Sequence, residues 1–202
     1  MLQEKIKSAL VSVGQALRKP EDFAAAWHRE EAHYGWLVWA ALIVTSILGT
    51  TTYGMTLGIL GGSGEVMLSA FRLTVAAGLA WAIPLPALYI LNSLTGSKLT
   101  LGTTFLAAIV TTSWGGLALV ASIPINWFFT VAIPVPWFVR LENIVVFTGV
   151  GVAMVDVFGR ILEWLEPRRG RLPAWSLLLV GAIGLEFFHA FRLFEFAVRA
   201  TE

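Results

Sequence analysis

Five long apolar runs, separated by short stretches rich in glycine, proline and polar residues, dominate the chain after residue 33. They predict spanning helices over about 34–60, 66–94, 101–123, 141–165 and 173–198, each long enough at about 1.5 Å per residue to cross a hydrocarbon core of about 30 Å. The second run is broken by Pro84 and Pro86. Proline removes a backbone donor and presses on the preceding turn, which in hydrocarbon gives a kink that neighbouring helices must satisfy. The pattern therefore predicts one kinked helix from Val66 to Leu94, with Asn92, Ser93 and Lys98 marking its exit into water and the other helices packed around the kink. Between the third and fourth runs, residues 124–138 are too apolar for a solvated loop. Pro124, Pro134 and Pro136 argue against a continuous helix there. That segment, with Trp127, Phe128, Phe129, Trp137 and Phe138, is expected to dip into the outer membrane interface or to contact a partner.

Ahead of the first run, Leu2, Ile6, Leu10, Val13 and Leu17 share one side of a helix, within roughly 80° at about 100° per residue. Such a helix suits a membrane surface or the cytoplasmic end of a bundle. Pro20 then opens a second short helix over Glu21 to His33, with acids in its first turn. The expected division is a cytoplasmic amphipathic leader, residues 1–33, followed by a five-span domain, residues 34–199. The fold class is an all-α integral membrane bundle.

Composition sharpens this picture. Hydrophobic residues make up 57% of the 202 and charged residues only 13%, about half the share of a soluble domain. A net charge of +1 gives no basic field for nucleic acid, and zero cysteines exclude disulfides and thiolate chemistry. More than thirty mixed residues precede the first apolar run and no small-residue cleavage site follows it, so no cleaved signal peptide is expected. Lys5, Lys7, Arg18, Lys19, Arg29, Lys98, Arg168, Arg169 and Arg171 would share one side of the membrane, against Arg140 and Arg199 on the other. The positive-inside rule then puts the N-terminus in the cytoplasm and the C-terminus outside, with a bacterial inner membrane as the simplest setting. Trp36, Trp39, Trp127, Trp137, Trp164 and Trp175 fall near expected helix ends, where amphipathic rings settle.

Few residues offer chemistry. Asp156, Arg160 and Glu163 lie on one side of the fourth span and are expected to form an ion-pair ladder facing the bundle. Glu186, His189, Arg192 and Glu195 recur every three residues in the fifth, and equal depth suggests that Arg72 pairs with Glu186. Glu186-x-x-His189 matches half of a carboxylate di-metal motif and Glu30-x-x-His33 supplies a second copy, but the two belong to opposite ends, so no shared metal is expected. His189 is the one candidate axial ligand for haem or chlorophyll, an alternative to the expectation of no cofactor. Gly54, Gly58, Gly181 and Gly184 mark places where helices can approach closely. No nucleotide loop, zinc motif or nucleophile elbow appears, and no catalytic residue is expected.

Leu17-Arg18-Lys19-Pro20-Glu21-Asp22-Phe23, Tyr53-Gly54-Met55-Thr56-Leu57-Gly58 and the run from Leu85 to Leu94 resemble the bacterial branch of the Yip family. Its members are five-span membrane proteins, and the eukaryotic ones interact with Rab GTPases. The chain lacks the Asp-Leu-Tyr-Gly-Pro type motif of those members, so the resemblance implies topology and a partner-binding role rather than a Rab-like partner. The expected function is a non-catalytic membrane scaffold or partner-binding protein, in contact with lipids and with other membrane subunits or copies of itself. Two alternatives are an accessory subunit of an energy-converting or pigment-bearing complex, and a small ion or proton-coupled transporter.

Overall fold

A computed structural model describes residues 2–133, 135–168 and 174–193. Its elements are α1 (Leu2–Arg18), α2 (Pro20–His28), α3 (Trp36–Leu57), a single 3-10 turn (Ile59–Gly61), α4 (Ser63–Ala82), α5 (Pro84–Leu94), α6 (Leu101–Ala132), α7 (Pro136–Leu165) and α8 (Ala174–Ala190). Among the described residues there is no strand, and four stretches are long and apolar enough to cross a membrane: Trp36–Leu57, Ser63–Leu94, Leu101–Ala132 and Trp137–Leu165. The chain is thus an all-α membrane protein.

Two hydrophobic clusters stack along the bundle. The first joins Ala9, Val13 and Ala16 of α1, Phe23 and Ala24 of α2, and the facing parts of α3, α5, α6 and α7, such as Leu42, Leu88, Leu106 and Phe158. The second joins Tyr53, Leu73, Ala76, Leu119 and Leu193, with Phe147, Phe187 and Phe188 packed against them. The N-terminal helices therefore close one end of the bundle rather than forming a separate unit. That end carries Lys5, Lys7, Arg18, Lys19, Arg29, Lys98 and Arg168, and Arg140 lies at the other. On α1 the apolar residues divide between two surroundings: Val13 is buried against the bundle, whereas Ile6 and Leu10 are exposed.

Helices α3 and α6 form the centre. A Cβ on Gly49 would strike the backbone of Gly116, and one on Gly116 would crowd Ser46, so the two backbones touch. The Ser113 hydroxyl lies 2.6 Å from the Leu42 carbonyl across this crossing and 2.8 Å from the Ile109 carbonyl in its own helix. The adjacent Gly115 is covered by Met154 of α7, so neighbouring glycines serve two different partners. Gly54 and Gly58 meet α4 at Ala70 and Glu65, as their spacing suggested; Gly184 approaches Ala80, while Gly181 has open space beside it.

The kink at Pro84 is present, because Ile83 separates α4 from α5 and Pro84 takes the first position of α5. The bundle is nonetheless centred on the glycine crossing, not on this kink. Asn92 is buried rather than marking an exit into water, and the chain turns at Gly96, whose φ of 93° lets Gly96 and Ser97 donate to the Ser93 and Asn92 carbonyls.

Three other boundaries differ from the sequence expectation. Helix α2 ends at His28, followed by Glu30 at a φ of 61°, instead of running to His33. The third span does not stop at residue 123: α6 passes through Pro124 to Ala132. A membrane helix tolerates such a proline where neighbours hold the flanking turns, and Pro136 adds no break because it opens α7, where a missing N–H costs nothing. Helix α8 ends at Ala190, eight residues before residue 198, because Arg192 adopts a φ of 54° while Arg192 and Leu193 donate to the His189 and Phe188 carbonyls.

Gly49→Ala is expected to destabilise the bundle by about 1–3 kcal/mol through the α3–α6 clash, read as a lower unfolding midpoint in an SDS titration of the detergent-solubilised protein. Gly78→Ala, whose Cβ meets nothing within 4 Å, should leave the midpoint unchanged or slightly raised.

Candidate functional site

The end of the bundle opposite α1 and α2 is built from the α6–α7 hairpin. At about 1.5 Å per residue, the 32 residues of α6 and the 30 of α7 extend about 48 and 45 Å, well beyond a hydrocarbon core of about 30 Å. The 22 residues of α3 reach only about 33 Å. The hairpin tip therefore stands past the end of α3. Its link is short: Ile133 donates to the Phe129 carbonyl at 2.9 Å and Val135 to the Ile133 carbonyl at 2.7 Å, after which Phe138 and Val139 donate to the Val135 carbonyl.

Four rings form a chain across this tip. Phe128 and Phe129 are edge to face at 5.3 Å, Phe129 and Phe138 at 5.5 Å, and Trp137 and Phe138 at 5.8 Å. Edge-to-face contact matches the positive rim of one ring to the negative face of the next, so the rings hold each other in place. Phe129 and Phe138 are half-buried and form the base, while Phe128, at 62% exposure, and Trp137, at 66%, present outward beside Trp127.

A buried polar clamp anchors the base of the tip to α3. Tyr53 donates to the Asn143 side-chain oxygen at 3.0 Å, and Asn143 donates to the Val139 carbonyl at 2.8 Å. The Asn126 amide nitrogen approaches Asn143 Oδ1 at 2.7 Å, the Tyr53 hydroxyl at 3.2 Å and Glu142 Oε2 at 3.3 Å, and Thr130 donates to Asn126 Oδ1 at 3.5 Å. A primary amide has two hydrogens, so three acceptors share two donors, and Glu142 receives the longest contact. Tyr53, Asn126, Thr130 and Asn143 are all buried. In hydrocarbon, where no water competes, such a network fixes α3, α6 and α7 in one register. Asn126 immediately precedes Trp127, so the clamp also sets where the exposed rings point.

Sequence reasoning singled out the five aromatic residues and missed the clamp. Asn126, Glu142 and Asn143 lie within otherwise apolar runs, and a polar residue at such a depth signals a required partner. At Asn126 the signal is hidden because the prolines place residues 124–138 outside a helix, and at Glu142 and Asn143 because the expected fourth span begins at residue 141, where polar residues are ordinary helix-end features.

The expected charge network is rearranged. Arg160 Nε meets Asp156 Oδ2 at 3.0 Å, as the spacing suggested, while Arg160 Nη1 meets Glu21 Oε1 of α2 at 2.7 Å. This pair does not line the interior, because the Asp156 and Arg160 side chains are 56% and 46% exposed. Glu163 is half-buried one turn further on. Arg72 is half-buried on α4 and Glu186 is exposed on α8, and the ion pairs between described residues include Lys19–Asp22, Arg160–Glu21 and Arg160–Asp156. His189 is exposed near the end of α8, Arg192 lies in the turn that ends it, and Glu195 falls outside the described residues. The two Glu-x-x-His copies lie apart, in the α2–α3 link and on α8. Comparison with family models, curated proteins and solved structures finds no match to this chain.

A double-mutant cycle between Tyr53→Phe and Asn143→Leu, read by unfolding in detergent, is expected to give a coupling of about 0.6–1.7 kcal/mol. Additive effects would show that the clamp does not act as a unit.

Proposed function

We propose that this protein is a non-catalytic multi-pass membrane scaffold of the Yip-like type, binding a partner through the aromatic tip of the α6–α7 hairpin. The observation that carries the reading is the ring chain from Phe128 to Trp137, mounted on two helices longer than a bilayer core and pinned by Asn126. Rigid, exposed aromatic side chains lose little freedom on contact and dominate interface energetics. Phe128, Trp127 and Trp137 together form an exposed aromatic patch of the kind that marks contacts with a partner. The partner is another membrane protein, and the chain in that case serves as an accessory subunit of a larger assembly.

The setting follows from charge. The end that carries Lys5, Lys7, Arg18, Lys19, Arg29, Lys98 and Arg168 faces the cytoplasm of a bacterial inner membrane, and the aromatic tip faces outward. Helix α1 lies in the cytoplasmic interface, with Ile6 and Leu10 toward acyl chains and Lys5, Lys7 and Arg18 toward anionic headgroups. Helix α8 supplies the fifth span, which leaves the C-terminus outside.

A photo-reactive amino acid in place of Phe128, activated in native membranes, should yield one dominant cross-linked protein. Paired Trp127→Ala and Trp137→Ala substitutions should lower recovery of that protein by at least about tenfold in mild detergent, in line with aromatic anchors worth about 2 kcal/mol each. Cross-links to lipid alone would replace the partner reading with a purely interfacial role.

A further inference from the structure

Arg140 carries a charge that the chain leaves unanswered. It takes part in no ion pair or hydrogen bond among the described residues, and its Nε is shielded from water without a partner. Glu142, two residues on, does not neutralise it. At about 100° per residue the two side chains leave α7 about 200° apart, and Glu142 turns into the clamp, where its Oε2 lies 3.3 Å from the Asn126 amide nitrogen. A guanidinium offers five N–H groups, so a half-buried arginine with none of them spent is costly until an acceptor arrives.

The level of Arg140 along the helix decides which acceptor is at hand. Leu165 marks the inner end of the span, because Glu166 beside it is tied to Ser97 and Lys98 at the basic end. From Leu165 back to Arg140 is about 37 Å along the axis, or about 35 Å of height at a tilt of about 20°. A hydrocarbon core of about 30 Å grows to about 40–45 Å with its headgroups, which leaves a headgroup layer of about 5–8 Å on each side. Arg140 thus lies among the outer headgroups, below the aromatic tip. Leu141 and Ile144, on the same flank of α7 and 49% and 38% exposed, lead from it toward the hydrocarbon.

We propose that Arg140 holds the phosphate of an outer-leaflet glycerophospholipid, with an acyl chain laid along Leu141 and Ile144. The two unesterified oxygens of a phosphodiester match two parallel N–H groups of the guanidinium fork. A carboxylate could fill the same fork but would have to come from another chain, whereas phosphate is present at this level on every phospholipid. Phosphate is common to zwitterionic and acidic headgroups, so the site selects its lipid by that group and not by net charge. It is separate from the aromatic patch, and it stands whether or not that patch engages a protein.

The probe is phosphatidylethanolamine with a photo-reactive diazirine in one acyl chain, placed in proteoliposomes with the full chain, and adducts are located by peptide mass spectrometry. Its headgroup has no net charge, so Lys5 and Lys7 do not concentrate it at the other end. Adducts within residues 140–148 are expected to fall at least about tenfold in Arg140→Gln, the loss of one charge-assisted bidentate contact, and about threefold in Arg140→Lys, which keeps the charge without the fork. Adducts on α1 should not change. A glycolipid with the same photo-reactive chain and no phosphate should label residues 140–148 of the unmutated protein at least about tenfold less, a comparison that does not depend on how Arg140→Gln folds. Equal labelling by the glycolipid, undiminished labelling of Arg140→Gln, or loss of labelling when inorganic phosphate is added would each overturn the proposal. So would a photo-reactive residue in place of Ile144 that captures a protein instead of the lipid.

Discussion

Direct backbone contact between α3 and α6 at Gly49 and Gly116 is the constraint from which the rest of the bundle is laid out. Apolar side chains gain nothing by leaving lipid for one another, so helices in a bilayer associate through close packing and through polar groups that find partners. The glycine contact supplies the first and the Ser113 hydroxyl supplies the second within two turns of the same helix. Once α3 and α6 are fixed, Gly115 receives Met154 of α7, and Gly54 and Gly58 receive α4. Small residues thus place two neighbours, α4 and α7, around two central helices, and hydroxyls satisfy what is left. Thr51 and Thr74 hydroxyls meet at 2.9 Å between α3 and α4, for example, with Thr74 also bonded to its own helix at the Ala70 carbonyl.

The two ends of the bundle are closed by different means. At the basic end α1 and α2 bury alanine, valine and phenylalanine against α3, α5, α6 and α7, and Glu21 reaches Arg160. Tyr34 stacks on Phe23 and donates to its carbonyl, and partial burial pushes its phenol above the ordinary value near 10. Glu166, at the end of α7, accepts from the Ser97 hydroxyl and the Lys98 backbone, each at 2.7 Å, which ties the α5–α6 loop to α7. At the other end the closure is made inside the bundle by Tyr53, Asn126 and Asn143.

Long apolar runs made the spanning helices legible, since length and hydropathy are set by the solvent and not by packing. Proline was less informative. Pro84, with Pro86 two residues on, does break its helix, whereas Pro124 stands alone inside an uninterrupted α6. The five tip aromatics stood out by type, but their mutual contacts depend on α6 continuing past Pro124. The spacing alone pairs Asp156 with Arg160, while Glu21 is beyond its reach because it lies 139 residues from Arg160 in sequence. Which side of α7 faces outward required the packing of α2 and α6, and with it came the finding that this ion pair is exposed.

The unequal lengths of the helices have a further physical result. A hairpin of about 45–48 Å beside a neighbour of about 33 Å cannot match one hydrocarbon slab without leaning or protruding. Thickening the surrounding bilayer would draw Trp127 and Trp137 down among the headgroups, and thinning it would lift them clear. Lipid composition would then act as a rheostat on how much of the hairpin is within a neighbour's reach, with no change in the fold itself.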